Sequence, residues 1–226
     1  MKPVFLVRHG QSEGNVNKEI HRERPDYAIR LTQKGIEDAK SAGHELASKM
    51  SPGRYILFTS HYFRAKQTSH YIREVLSDNK IFIHQIESPL LREQEWCGGD
   101  INGFDEGQES AREKQGVFDY RFRGGESVGD CYTRAALFEL DLLDALKSDE
   151  VDGVICVGHG MQNRVLVARL TSLRLEGLLN MKNPDNGGVI EMAYISQHNR
   201  VGLISHIPTR EEENICEFSY SAYDIV

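Results

Sequence analysis

Apolar and polar positions alternate along this chain in two rhythms. The short unbroken runs Val4-Phe5-Leu6-Val7, Tyr55-Ile56-Leu57-Phe58-Thr59 and Val154-Ile155-Cys156-Val157 have the length and branching of strands buried on both faces. Residues 81–86 read as a further strand. Between these runs the period becomes helical. Ile36, Ala39, Gly43, Leu46 and Met50 recur at helical spacing behind Thr32, whose hydroxyl can cap the first turn. Residues 63–76 and 160–170 also read as helices, and 132–146 places Ala135, Phe138, Leu142 and Leu146 on one face. Residues 188–195 and 201–207 form two last strands around His198-Asn199, expected to pair antiparallel at one edge. Strands alternating with helices predict an α/β fold: a three-layer αβα sandwich with a mostly parallel central sheet.

From 91 to 130 neither rhythm holds. Trp96, Phe104, Phe118, Tyr120 and Phe122 are scattered among glycines and charges, and a lid insertion over the site is expected here. No repeat, linker or low-complexity tract divides the 226 residues, so a single domain over 1–226 is expected. With 39% hydrophobic residues the chain can fill a core of that size.

Charge narrows the function. A formal net charge of -7 excludes a general nucleic-acid binder, which needs a basic surface. The same charge repels phosphorylated substrates, so an anion site must gather its positive charge in a pocket. The apolar run at the N-terminus is only four residues, too short for a signal peptide or a membrane span, and the expected compartment is the cytoplasm. Cys97, Cys131, Cys156 and Cys216 are scattered, which suits reduced thiols better than a disulfide framework or a zinc site.

In an open α/β sheet, ligands bind beyond the carboxyl ends of the strands. Two strands here end alike, in Val7-Arg8-His9-Gly10 and Val157-Gly158-His159-Gly160, and a third ends in Thr59-Ser60, four residues before Arg64. If these strands are neighbours, Arg8, His9, Arg64 and His159 meet at one spot. Arginine suits such a pocket because its planar fork matches phosphate oxygens in pairs. Gly10 and Gly160 would let the backbone approach the ligand, and the helix start after Gly160 would add amide donors. His21, His44, His61, His70, His84, His198 and His206 lack any such context and read as ordinary residues.

The run Leu6-Val7-Arg8-His9-Gly10-Gln11-Ser12-Glu13-Gly14-Asn15 resembles the signature of the histidine phosphatase superfamily, the phosphoglycerate mutase-like proteins. Further blocks follow in the family's order: Leu31-Thr32 with Gly35, Ser60 with Arg64-Ala65-Lys66-Gln67-Thr68, Leu91-Arg92-Glu93, Gly125-Glu126-Ser127 and Gly158-His159-Gly160. The resemblance implies that His9 attacks phosphorus and forms a phosphohistidine. Its second ring nitrogen would be tied, plausibly to a backbone carbonyl. It further implies that Arg8, Arg64 and His159 hold the phosphoryl oxygens and that Asn15 adds a hydrogen bond. Glu93 would protonate the leaving alkoxide and then help to activate water, with Glu95 the competing candidate. No metal and no cofactor is expected.

The stretches from Leu91 to Trp96 and from Phe118 to Arg123 look closest to a phosphatase-like branch. The expectation is therefore a phosphomonoester hydrolase acting on a small phosphorylated substrate. A 2,3-bisphosphoglycerate-dependent mutase is the alternative, and an inactive phospho-ligand binding module a more distant one. A mutase needs further cations, for which Arg121 and Arg123 are candidates, while Arg30 is read as a surface charge. A homodimer is possible on general grounds.

Overall fold

The computed structural model describes residues 1–96, 106–205 and 208–209. Among these, six strands form one sheet in the order β3-β2-β4-β1-β5-β6. The strands β1 (Lys2–Arg8), β2 (Gly53–Thr59), β3 (Ile81–Glu87) and β4 (Gly153–Gly158) run parallel. Antiparallel pairing joins β5 (Val189–Ile195) to β1 and β6 (Arg200–Leu203) to β5, as the sequence suggested for this edge. Along the chain the helices are α1 (Glu13–Val16), α2 (Ile20–Glu23), α3 (Gln33–Lys49), α4 (Phe63–Ser77), α5 (Glu106–Gln115), α6 (Val128–Lys147), α7 (Gly160–Leu170) and α8 (Leu175–Asn180).

Strand alternation explains the three layers. Val4 and Leu6 of β1 and Val154 and Cys156 of β4 point to one face, where they pack with Phe138 and Leu142 of α6 and Val165 and Leu166 of α7. Phe5, Val7, Ile155 and Val157 point to the other, against Ala42 and Leu46 of α3 and Ala65 and Ile72 of α4. Successive residues face opposite layers, so the central strands must be apolar at every position. That is why they stand out in the sequence as unbroken runs.

Several elements differ from the sequence expectation. Helix α6 begins four residues before the expected 132, because Ser127 and Asp130 form a reciprocal capping box. Residues 91–130 are not irregular throughout: α5 lies within them, but its Glu-Gly-Gln-Glu-Ser-Ala-Arg-Glu-Lys-Gln sequence has no apolar stripe to reveal a period. Helices α1 and α2, four residues each, are too short to show one. The strand expected over 201–207 is observed only as β6, which ends at Leu203; 204–205 are not strand, and 206–207 lie outside the described residues.

The approach to the site rests on a close backbone crossing. Thr32 caps α3 as expected, accepting from the Gly35 amide at 3.1 Å. A methyl group on Gly10 would stand 2.1 Å from the Gly35 oxygen, and one on Gly35 would stand 1.9 Å from the Gln11 oxygen. The residues between leave and return side by side, through the Ser12–Leu31 bridge and the Thr32 amide on the Gln11 oxygen at 2.9 Å. No helix among the described residues is long and apolar enough to cross a membrane.

Candidate active site

The sheet register builds the site. Arg8 lies opposite Gly158 across β1 and β4, and the His9 amide donates to the Gly158 oxygen at 3.0 Å. His9 and His159 thus leave adjacent parallel strands together, their ring centroids 5.1 Å apart. On the far side of β4, Thr59 of β2 pairs with Val157, and the Ser60 amide donates to the Val157 oxygen at 2.9 Å. The first turn of α4 then carries Arg64 back to His9. The structure brings Arg8, His9, Arg64 and His159 together.

Hydrogen bonds fix the protonation of His9. His9 Nδ1 lies 2.7 Å from the Gly10 carbonyl oxygen, which can only accept, so Nδ1 carries the proton. Arg64 Nε donates to His9 Nε2 at 3.2 Å, which requires a lone pair there. His9 is therefore a neutral imidazole with its lone pair on Nε2. Burial, followed by the Arg64 charge, holds its pKa well below the ordinary histidine value, against the Gly10 hydrogen bond. His159 Nε2 lies 2.9 Å from Ser60 Oγ, which also accepts from the Tyr62 amide. His159 Nδ1 is buried without a partner among the described residues. Burial first, then Arg64 and His9, also pushes the His159 pKa well down.

Arg8 and Arg64 are held differently. Arg8 donates Nη1 to the Pro184 oxygen at 2.6 Å, while its Nε is buried without a partner among the described residues. Burial lowers the Arg8 pKa, opposed by the charges of Glu93 and Asp185. Two buried nitrogens without partners among the described residues, Arg8 Nε and His159 Nδ1, thus lie near His9, and a buried polar atom without a partner is uncommon. Arg64 is 5% exposed and gripped by Asp26, with Nη1 donating to Oδ1 at 3.0 Å and Nη2 to Oδ2 at 3.1 Å. Nη1 also reaches the Asp26 backbone oxygen at 2.8 Å. The guanidinium therefore turns its Nε edge to His9 and its terminal edge to the carboxylate.

Glu93 sits at the start of α7. Its Oε2 accepts from the Met161 amide at 3.2 Å, and its Oε1 from the amides of Gln162 at 3.2 Å and Gln94 at 3.0 Å. The free amides of a helix N-terminus attract a carboxylate, which is how Glu93 comes to lie one residue beyond His159 and Gly160. Asn15 is exposed, with its side-chain oxygen taken by the Ser12 amide at 2.9 Å and by Asn186 Nδ2 at 2.8 Å. Its amide nitrogen is the end left to donate.

Several features escaped the sequence reading. Asp26 comes from the stretch between Ser12 and Leu31, where no period marks a role. His21, read as ordinary, has its Nδ1 3.4 Å from Asp26 Oδ1. Tyr62 lies under the Arg64 guanidinium, 4.9 Å from Cζ to the ring centre, and its ring is 5.1 Å from His159. Burial raises its hydroxyl pKa. The roles given to two glycines also change: Gly10 is required by its crossing with Gly35, and Gly160 by Asn183, which stands 2.9 Å from where a methyl group would be. The amides after Gly160 meet Glu93, as described above. Arg30 is exposed and stacks over Phe63, while exposed Arg121 pairs with Asp130.

Residues 4–206 match the sequence profile described as the histidine phosphatase superfamily (branch 1). The chain belongs to that superfamily. It is 30% identical over 202 residues to phosphoglycerate mutase-like protein AT74 of Arabidopsis thaliana, covering 83% of this chain and 63% of that relative. The chain thus spans less than two thirds of AT74's length. It is 31% identical over 207 residues to a 2,3-bisphosphoglycerate-dependent phosphoglycerate mutase of Parvibaculum lavamentivorans, covering 83% and 93%. Its fold matches that of a mycobacterial glucosyl-3-phosphoglycerate phosphatase with a TM-score of 0.69 at 20% identity, covering 92% of this chain and 97% of the other.

Within this histidine phosphatase fold the motif blocks have distinct physical jobs. Thr68 accepts from the Gly10 amide at 3.1 Å and donates to the Arg64 oxygen, and Gln67 accepts from the Leu31 amide at 2.9 Å. These two residues of α4 fasten the loop that carries His9.

Proposed function

We propose that the chain hydrolyses phosphomonoesters through a phosphohistidine at His9, without a metal. The observation that carries this reading is the orientation of His9: Nδ1–H is tied to Gly10 and the Nε2 lone pair lies against Arg64. Nε2 attacks phosphorus as the ester P–O bond breaks. Arg8, Arg64 and His159, its Nδ1 taken as protonated, stabilise the charge on the non-bridging oxygens. Asn15 offers its amide nitrogen to the same group. Glu93 gives its proton to the departing alkoxide. Water then attacks the phosphohistidine, Glu93 takes one of its protons, and phosphate leaves with His9 restored.

Relatives named as mutases keep phosphoryl return to the product as a second reading. Hydrolysis is favoured by the charge around the pocket. Asp26 neutralises Arg64, Asp185 acts on Arg8, and Arg121 is occupied by Asp130. A second phosphate or a carboxylate on the substrate gains little there. Hydrolysis of para-nitrophenyl phosphate, with and without a chelator, tests the proposal. Chelator-resistant release should fall at least ~10³-fold in His9→Ala, as expected for loss of a covalent nucleophile. Faster interconversion of phosphoglycerates than ester hydrolysis by the wild type would establish the mutase instead.

A further inference from the structure

Residues 92–96 follow a 3-10 turn (Pro89–Leu91) as irregular backbone, with no helix or strand to satisfy their peptide groups. Glu93 lies in this stretch, yet a proton donor must be held to a fraction of an ångström. The partners come from Arg134 and Glu126.

Arg134 projects from α6 and is 7% exposed. Its Nη1 donates to the oxygens of Leu90 and Arg92, each at 2.8 Å, and to Gln162 Oε1 at 3.1 Å. Its Nη2 reaches the Glu93 oxygen at 3.4 Å and Glu126 Oε2 at 3.0 Å. Glu126 takes the other side of the stretch. Its carboxylate accepts from the Glu95 amide at 3.1 Å and from the Arg92 guanidinium. Its backbone donates to the Glu95 oxygen at 2.7 Å and accepts from Gln94 Nε2 at 2.9 Å. One ion pair thus brackets Glu93 from both sides in sequence. It also grips Gln162, whose amide donates to the Glu93 carboxylate.

Apart from the Cys131 sulfur of α6, which both side chains touch, these bonds fall on the stretch around Glu93 and on the helix turn that receives it. We infer that Arg134 and Glu126 are positioning residues that set Glu93 on the N-terminus of α7 for proton transfer to the leaving group. The inference rests on the hydrolase reading above for its kinetic consequence, but not for its geometry.

The test is Glu126→Gln, with Arg134→Lys as a second variant, compared on two esters. The phenolate of para-nitrophenyl phosphate departs without a proton, whereas the alkoxide of glycerol 2-phosphate needs one. Because kcat/KM reports only steps up to leaving-group departure, water activation does not enter the comparison. Glu126→Gln should lose about 10²-fold in kcat/KM on the alkyl ester, the size of a general-acid contribution, and less than about tenfold on the aryl ester. In a Glu93→Gln background it should cost little more. An independent readout is the pair of Met161 and Gln162 amide resonances, which should move towards their positions in Glu93→Ala. Equal losses on the two esters, or amides that stay at their wild-type positions, would overturn the inference. Wild-type protein that hydrolyses neither ester would overturn the hydrolase reading alone, and the amide resonances would then decide the positioning.

Discussion

A guanidinium has five N–H groups in one plane, and whatever holds some of them decides which remain for a ligand. Asp26 takes the terminal edge of Arg64 and leaves Nε facing His9. Replacing Asp26 by Asn removes the counter-charge of a buried cation. The pair is partly open to water, so the expected loss is ~2 kcal/mol, below that for fully enclosed pairs. An anion that binds the folded state restores the missing charge. The melting temperature of Asp26→Asn should therefore lie below wild type in phosphate-free buffer and rise more than wild type when inorganic phosphate is added. The histidines give a second expectation. Both have folded-state pKa values below the ordinary one, so below about pH 6.5 the unfolded chain binds protons that the folded chain does not. Stability should fall as the pH drops through that point, each imidazole adding a slope of about 1.4 kcal/mol per pH unit. Urea unfolding at a series of pH values checks this, and His9→Gln should remove one of the two slopes.

At the scale of elements, the crossing of the His9 loop and α3 is the tightest joint in the site. A methyl group at Gly35 would overlap the Gln11 backbone oxygen, and a backbone atom cannot swing aside as a side-chain tip can. Gly35→Ala should cost about 3 kcal/mol in unfolding measurements and weaken activity by shifting the loop next to His9. Most elements were legible because burial imposes a pattern. Strands covered on both faces become unbroken apolar runs, and α3 and α6 carry apolar faces. Helix α5 and the short helices α1 and α2 bury too little for any pattern. The site was legible where chemistry repeats at strand ends, in Arg8-His9-Gly10 and Gly158-His159-Gly160. Asp26 was not, since its contact with Arg64 joins residues 38 apart through a stretch without period. Arg134 did leave a signal: it interrupts the face of α6 formed by Cys131, Ala135, Phe138 and Leu142, and a charge on a buried face demands partners.

For the molecule as a whole, the net charge of -7 required that positive charge be gathered locally, and β1, β4 and β2 gather it at their carboxyl ends. Nothing in the sequence warned that Asp26 and Asp185 would be gathered there too, because a carboxylate in a loop carries no periodic mark. The topology also divides the pocket by origin. His9, His159 and Ser60 come from strand ends fixed by the sheet register, whereas Asp26 and Asn15 come from the excursion that the Ser12–Leu31 bridge closes at its base. An excursion closed in this way can change length cheaply, since doubling a flexible loop costs only about 0.6 kcal/mol in closure entropy. His9 and the excursion that carries Asp26 and Asn15 are in effect separately heritable. A lineage could exchange one excursion for another between Ser12 and Leu31 while the strand-end residues beneath stayed in register.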